Sequence, residues 1–142
     1  MAATTTIEAI KSYLKTYSGL KSKAPMWVDF LGHKPTEYAI IPLPGEKIIE
    51  TYVNGSSLRA FPFAFQSMES TADELARLQT NGFYESLSDW FETQSESGIL
   101  PTLNSNKVAE RIETLGWAFL FEQGESSTGI YQIQCRLVYE QS

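Results

Sequence analysis

Residues 47–68 read Lys-Ile-Ile-Glu-Thr-Tyr-Val-Asn-Gly-Ser-Ser-Leu-Arg-Ala-Phe-Pro-Phe-Ala-Phe-Gln-Ser-Met, and this stretch decides the fold. Asn54-Gly55 stands between two strand-like runs. Both residue types tolerate the positive φ that a tight hairpin turn needs, and such turns match the twist of the strands they join. Past the turn, Phe61, Phe63 and Phe65 alternate, so their rings leave one face of a strand. The spacing predicts a β-hairpin over Ile48–Met68. It is long for a chain of 142 residues, and its tip, Asn54, Gly55, Ser56 and Ser57, has no evident internal task. Long strands with polar tips commonly reach a neighbouring chain or extend its sheet, which makes the tip a candidate subunit contact.

Upstream, Ile7, Ile10, Leu14 and Tyr17 recur at helical spacing, with Thr6 placed to cap and Gly19 to close. Met26–Leu31 is a brief apolar segment before the turn composition Gly32-His33-Lys34-Pro35. Glu37–Leu43 reads as a strand apolar on both faces. Downstream, Ser70 with Asp73, or Thr71 with Glu74, forms a capping box for a helix running to about Ser95. Leu75, Leu78, Phe83, Leu87, Trp90 and Phe91 make its apolar stripe, and Asp89, Glu92 and Glu96 face water. Asn81-Gly82 is a possible kink.

The last third predicts a second antiparallel pair. Val108–Glu122 carries Leu115, Trp117, Phe119 and Phe121 on one face, and Gly129–Gln141 carries Tyr131, Ile133, Cys135, Leu137 and Tyr139 on one face. Between them Gln123, Gly124, Glu125, Ser126, Ser127 and Thr128 form a polar loop, the second candidate contact. The expected class is α+β: an antiparallel-rich sheet of about four to five strands, two main helices on one side and a long β-hairpin. Residues 1–142 are expected to form one domain, with 1–5 flexible. No internal repeat and no dividing linker is visible.

Chemistry is scarce. His33, the sole histidine, sits in a turn composition without a local partner to orient its ring. Asp73/Glu74 lie in a helix first turn and Glu92/Glu96 on an exposed helix face, so each acidic pair has a structural explanation. Cys135 is the only cysteine, which excludes an intrachain disulfide, and its alternating strand position predicts a buried, inert thiol. No phosphate-binding glycine motif or nucleophile elbow occurs. Expected, therefore, are no catalytic residues, no cofactor and no metal. The net charge of −6 argues against gripping nucleic acid. There is no signal-peptide pattern and no apolar run long enough to span a membrane. Eight Phe, seven Tyr and three Trp suit a core, and they also suit protein contacts. Tyr52, Tyr84, Trp27 and Tyr139, near element ends, are read as core edges or interface anchors.

Several segments together carry a resemblance. They are Val28-Asp29-Phe30-Leu31-Gly32, Glu37–Pro42, Tyr52…Gly55…Phe61…Phe65-Gln66, Asn81–Glu85 with Trp90-Phe91 and Gln94, Leu100-Pro101, and Gly129–Cys135 with Tyr139. In this order they resemble the small minor-capsid proteins of tailed phages and prophages of Gram-positive bacteria, which are similar to tail-terminator or tail-completion proteins. The resemblance covers nearly the whole chain. It implies an α+β subunit of a ring, commonly a hexamer, at the head–tail junction, with the tail-tube and connector proteins as partners. It also implies DNA passing through the lumen without specific binding, no catalysis, and residence in the host cytoplasm and then in the virion tail or neck. The alternative reading is a small bacterial ligand-binding or regulatory α+β domain.

Overall fold

The computed structural model describes residues 5–21, 24–29, 31, 36–104, 106–123 and 127–142. The Gly32–Pro35 turn with His33, and the loop residues Gly124, Glu125 and Ser126, lie outside the described residues. The elements in chain order are α1 (Thr6–Leu14), β1 (Met26–Val28), β2 (Glu37–Pro42), β3 (Ile48–Thr51), β4 (Ser57–Ser70), α2 (Glu74–Ser97), β5 (Lys107–Thr114), β6 (Phe119–Gln123) and β7 (Thr128–Gln141). The class is α+β, as expected, but the sheet has seven strands rather than four or five, and it is mixed because β1 pairs parallel to β2.

The backbone of the sheet is one antiparallel ribbon. β4 and β7 pair without a break from Ser57↔Gln141 to Ser70↔Thr128. Each long strand has a single outer neighbour line that breaks in the middle. Along β4 run β2 and then β3, and along β7 run β5 and then β6. The predicted hairpin is present, but only four residues of β3 pair with β4. The expected single strand Val108–Glu122 is two strands, parted where Gly116 to Ala118 leave the ladder.

Both breaks are the same break. Pro42 pairs with Phe63 and Thr114 with Cys135, so both partners shift by 72 residues. After each pair one backbone bond prolongs the strand: Leu43 N to Pro62 O at 3.0 Å, and Leu115 N to Gln134 O at 2.8 Å. Ile48↔Arg59 then corresponds to Leu120↔Tyr131 at the same shift, and the register slips between Ile48 and Glu50 as it does between Leu120 and Glu122. The molecule is therefore two broken hairpins related by an approximate two-fold through the β4–β7 seam, differing in register only beyond the slip between Ala109 and Arg111 of β5 that β2 lacks. Within the paired strands only Ile40/Ile112 and Glu50/Glu122 keep the residue type at this shift. The repeat not visible in the sequence is present in the backbone.

Both helices cover one face of the ribbon. Alternation on β4 and β7 points Phe63, Phe65, Tyr131, Ile133, Cys135, Leu137 and Tyr139 into one core with Ala9, Ile10, Tyr13 and Leu14 of α1 and Tyr84, Leu87 and Phe91 of α2. Burying an aliphatic or aromatic side chain of this size is worth about 1.5–3 kcal/mol, so this layer is the main source of stability. Rings join the parts: Tyr13 and Tyr17 lie 5.1 and 4.9 Å from Trp90, and Tyr38 stacks on Phe83 at 5.7 Å. The opposite face carries small and polar groups, including Ala39, Ala60, Ala64 and the buried Gln66 Nε2–Gln132 Oε1 bond of 2.7 Å.

The helix ends differ in detail from the expectation. Thr5, not Thr6, caps α1 by accepting the Glu8 N–H at 3.2 Å. Asp73 caps α2 by accepting from Ala76 N at 2.8 Å, and Gly98 closes it at φ 73°. Asn81-Gly82 does not interrupt α2, because Asn81 Nδ2 donates to Arg77 O at 2.9 Å within the helix. Leu75 and Leu78, expected in the buried stripe, are exposed; burial begins at Thr80, so the first turns of α2 overhang the core.

Candidate subunit interfaces

The two loops predicted as contacts are equivalent positions of the repeat: the 72-residue shift carries Asn54–Ser57 onto residues 126–129. Because β4 and β7 are antiparallel, the loops stand at opposite ends of the ribbon, roughly 44 Å apart at the usual strand rise. One contact surface cannot contain both.

The described polar groups of the loops are turned inward. Asn54 Oδ1 accepts from Ser56 N at 3.0 Å and Ser56 Oγ at 2.7 Å, and Tyr52 N donates to Ser56 O at 2.8 Å. Ser56 and Ser57 are buried. At the other end Gln123 Nε2 donates to Thr71 Oγ1 at 3.0 Å and Thr128 O at 2.7 Å, while Thr71 N donates to Ser127 O at 2.8 Å. These residues build the turns.

What the same ends present outward is apolar. Every residue of β3 and every residue of β6 is exposed. Ile48, Ile49 and Val53 stand out at one edge, and Leu115, Trp117, Phe119, Leu120 and Phe121 at the other. Leu115, Trp117, Phe119 and Phe121 are expected on one face of a single strand. They lie at the outer edge of the sheet, outside the core that Tyr131 and Ile133 of β7 form with Tyr84 and Leu87 of α2. The available signal was composition: three consecutive apolar residues, Phe119–Phe121, leave both faces of an edge strand apolar. Of the four aromatics near element ends, Tyr84 and Tyr139 are buried, Trp27 is 41% exposed and Tyr52 is half-buried.

Charge is uneven as well. The outer face of α2 exposes Glu74, Glu85, Asp89, Glu92 and Glu96, whereas on the helix-free face of the sheet Arg111 Nε and Arg136 Nε both donate to the Glu113 carboxylate.

Reactive groups are quiet. Cys135 is fully buried, and burial raises its thiol well above the usual range. Tyr84 is raised well above its ordinary value by burial, against the opposing pull of the Ser67 bond, and Tyr13 is pushed up to about 12 by burial. Among the described residues no three His, Cys, Asp or Glu side chains are grouped so as to hold a metal ion. Among them, too, no helix is long and apolar enough to cross a membrane. An open groove of about 790 Å³ lies between α1 and residues 99–102, lined by Ala9, Tyr13, Trp90, Ile99 and Leu100.

No protein-family model matches the chain, and no curated protein matches it.

Proposed function

We propose that this chain is a non-catalytic structural subunit of a phage virion, a tail-terminator or minor-capsid protein that assembles with copies of itself into a ring at the head–tail junction. One observation carries the reading: the exposed apolar residues are concentrated on two opposite sheet edges. A ring is built from heterologous contacts, in which one patch of each subunit meets a different patch of the next, and two edges on opposite sides supply both patches. Clusters of exposed Ile, Leu, Phe and Trp of this kind mark association surfaces. The resemblance supplies the setting: synthesis in the host cytoplasm, incorporation in the tail or neck, and contact with the tail-tube and connector proteins. The ring is read as a hexamer on the same ground.

The carboxylates of α2 fit the lumen. DNA that slides through a ring is kept from adhering by like charge, and the acidic helix face supplies it. The test is the solution mass by light scattering across concentration, alone and with the matching tail-tube protein. A defined ring in either condition is expected. A monomer that ignores the tube protein overturns the assembly reading and favours a small ligand-binding domain, whose ligand would occupy the groove beside Tyr13 and Trp90.

A further inference from the structure

The repeat makes the two apolar edges more than a coincidence of composition. β3 and β6 occupy equivalent positions, each beside the turn end of its hairpin and each with the same register slip. Among the described residues neither has a strand on its outer side. β3 runs antiparallel to β4, and β6 antiparallel to β7. Since β4 and β7 are themselves antiparallel, β3 and β6 point in opposite directions. A second copy placed beside the first without being turned over brings its β6 alongside the first copy's β3, antiparallel, with both helical layers on the same side. Unpaired N–H and C=O groups on such edges are a template for a further strand.

We infer that the β3 edge of one copy pairs with the β6 edge of the next, an antiparallel contact that repeats head to tail. The inference deepens the self-assembly reading and rests on it. Charge sets the register. Residues 115–123 carry one charged side chain, Glu122; β3 carries Glu50 and is preceded by the exposed Glu46 and Lys47, the one cation on that edge strand and its approach. Placing Lys47 opposite Glu122 sets Ile48 against Phe121 and Ile49 against Leu120. Lys47 and Glu122 then share a face, the one away from the helices, because Lys47 O accepts from Ala60 N and Glu122 pairs with Ile130. The two register slips lie opposite one another and cancel. Trp117, 80% exposed, arrives beside Tyr52 and Val53. A β6–β6 dimer would instead leave Glu122 without an opposite charge, and opposite charges facing across strands stabilise the pairing.

Disulfide trapping reads this contact directly, because native Cys135 is fully buried and gives no background in the folded protein. Ile49→Cys and Leu120→Cys chains are purified separately, mixed, and oxidised with copper–phenanthroline. The expected result is a covalent dimer in the mixture, at least tenfold above either variant alone, and a ladder of higher multimers from the double variant. Dimers of Leu120→Cys alone, as abundant as in the mixture, would overturn the head-to-tail arrangement. So would the absence of any cross-link. Glu122→Lys added to the Leu120→Cys chain, at an exposed position, keeps the unfolding midpoint, sets like charge against Lys47 and lowers the cross-link to the Ile49→Cys partner if the inference holds; an unchanged yield refutes it. A ring seen by light scattering without the Ile49–Leu120 cross-link sinks these edges alone, whereas no ring with or without tube protein sinks the assembly reading.

Discussion

The two halves of the chain make the same broken hairpin from different residues. In the first, Phe61, Phe63 and Phe65 fill the helix side of β4; in the second, Ile133, Cys135 and Leu137 occupy the equivalent places on β7. The first is accompanied by a helix of 9 residues and the extra parallel strand β1, the second by a helix of 24 residues. Aromatics on one long strand therefore face mostly aliphatics on the other, and of the rings α2 supplies, Tyr84 lies on Tyr131 of β7 while Phe83 lies on Tyr38 and Phe65 of the first half. A backbone register can thus persist while volume is redistributed, because a core constrains the sum of its side chains more than each position.

The comparison is broken most forcefully in the core. Phe65 and Leu137 are equivalent by the shift and both fully buried. Phe65→Ala is expected to cost about 3–5 kcal/mol and Leu137→Ala about 2–5 kcal/mol, measured by urea denaturation. With one shared core, each variant unfolds in a single transition that fluorescence and circular dichroism report alike. Two separated transitions would mean that the halves are independent folding units, and the symmetry would then be that of two domains.

A smaller effect tests the joint between the halves. Tyr84 of α2 is bonded to Ser67 Oγ on β4 at 2.6 Å and donates to Tyr131 O on β7 at 3.2 Å, so one hydroxyl ties both long strands to the helix. Tyr84→Phe leaves the fully buried Ser67 hydroxyl without this partner, at a cost of about 1–3 kcal/mol. The same group sets an alkaline limit. Burial raises Tyr84, Tyr13 and Tyr38 above the ordinary value of 10.0, so the folded state holds protons that the unfolded chain releases first. Their stabilisation is complete below pH 10.0 and is lost as pH rises towards the folded values, about 12 for Tyr13. Unfolding free energy measured from pH 9 to 12 is expected to fall with pH, and less steeply in Tyr84→Phe; equal slopes would remove Tyr84 from the account.

Much of this was legible from residues, and the rest was hidden for physical reasons. Alternation revealed the core faces of β4 and β7, and Asn54-Gly55 marked its turn. The capping residues placed α2 within three or four residues. The repeat was not legible, because pairing is made by backbone groups that any residue carries, and only two identities survive in the strands. Exposure at Leu115–Phe121 was legible in the apolar run Phe119–Phe121 but not in the alternation. A period of two shows that two faces differ; which of them meets a helix is set outside the strand. The interface candidates lie at the two ends of the ribbon, beside the exposed apolar strands. Polar tips suggested contact, whereas their described polar groups close the turns and the adjoining apolar strands face outward.

The finest test lies in the turns themselves. Gly55 and Ser127 are equivalent by the shift, and both have positive φ, 91° and 60°. Glycine adopts this region freely, while an L-residue there costs about 1–2 kcal/mol. A Cβ built on Gly55 meets nothing within 4 Å, so Gly55→Ser is expected to lose only this backbone term, about 1 kcal/mol. The reverse change, Ser127→Gly, removes the strain but adds freedom to the unfolded chain, leaving a net gain of roughly 0.5 kcal/mol. Opposite signs in thermal or urea unfolding would show that the two turns share one backbone requirement and that residue choice alone separates them. A loss of stability in Ser127→Gly would show that the serine side chain holds the second turn in a way the glycine of the first does not, and the equivalence of the halves would end at the strand ends.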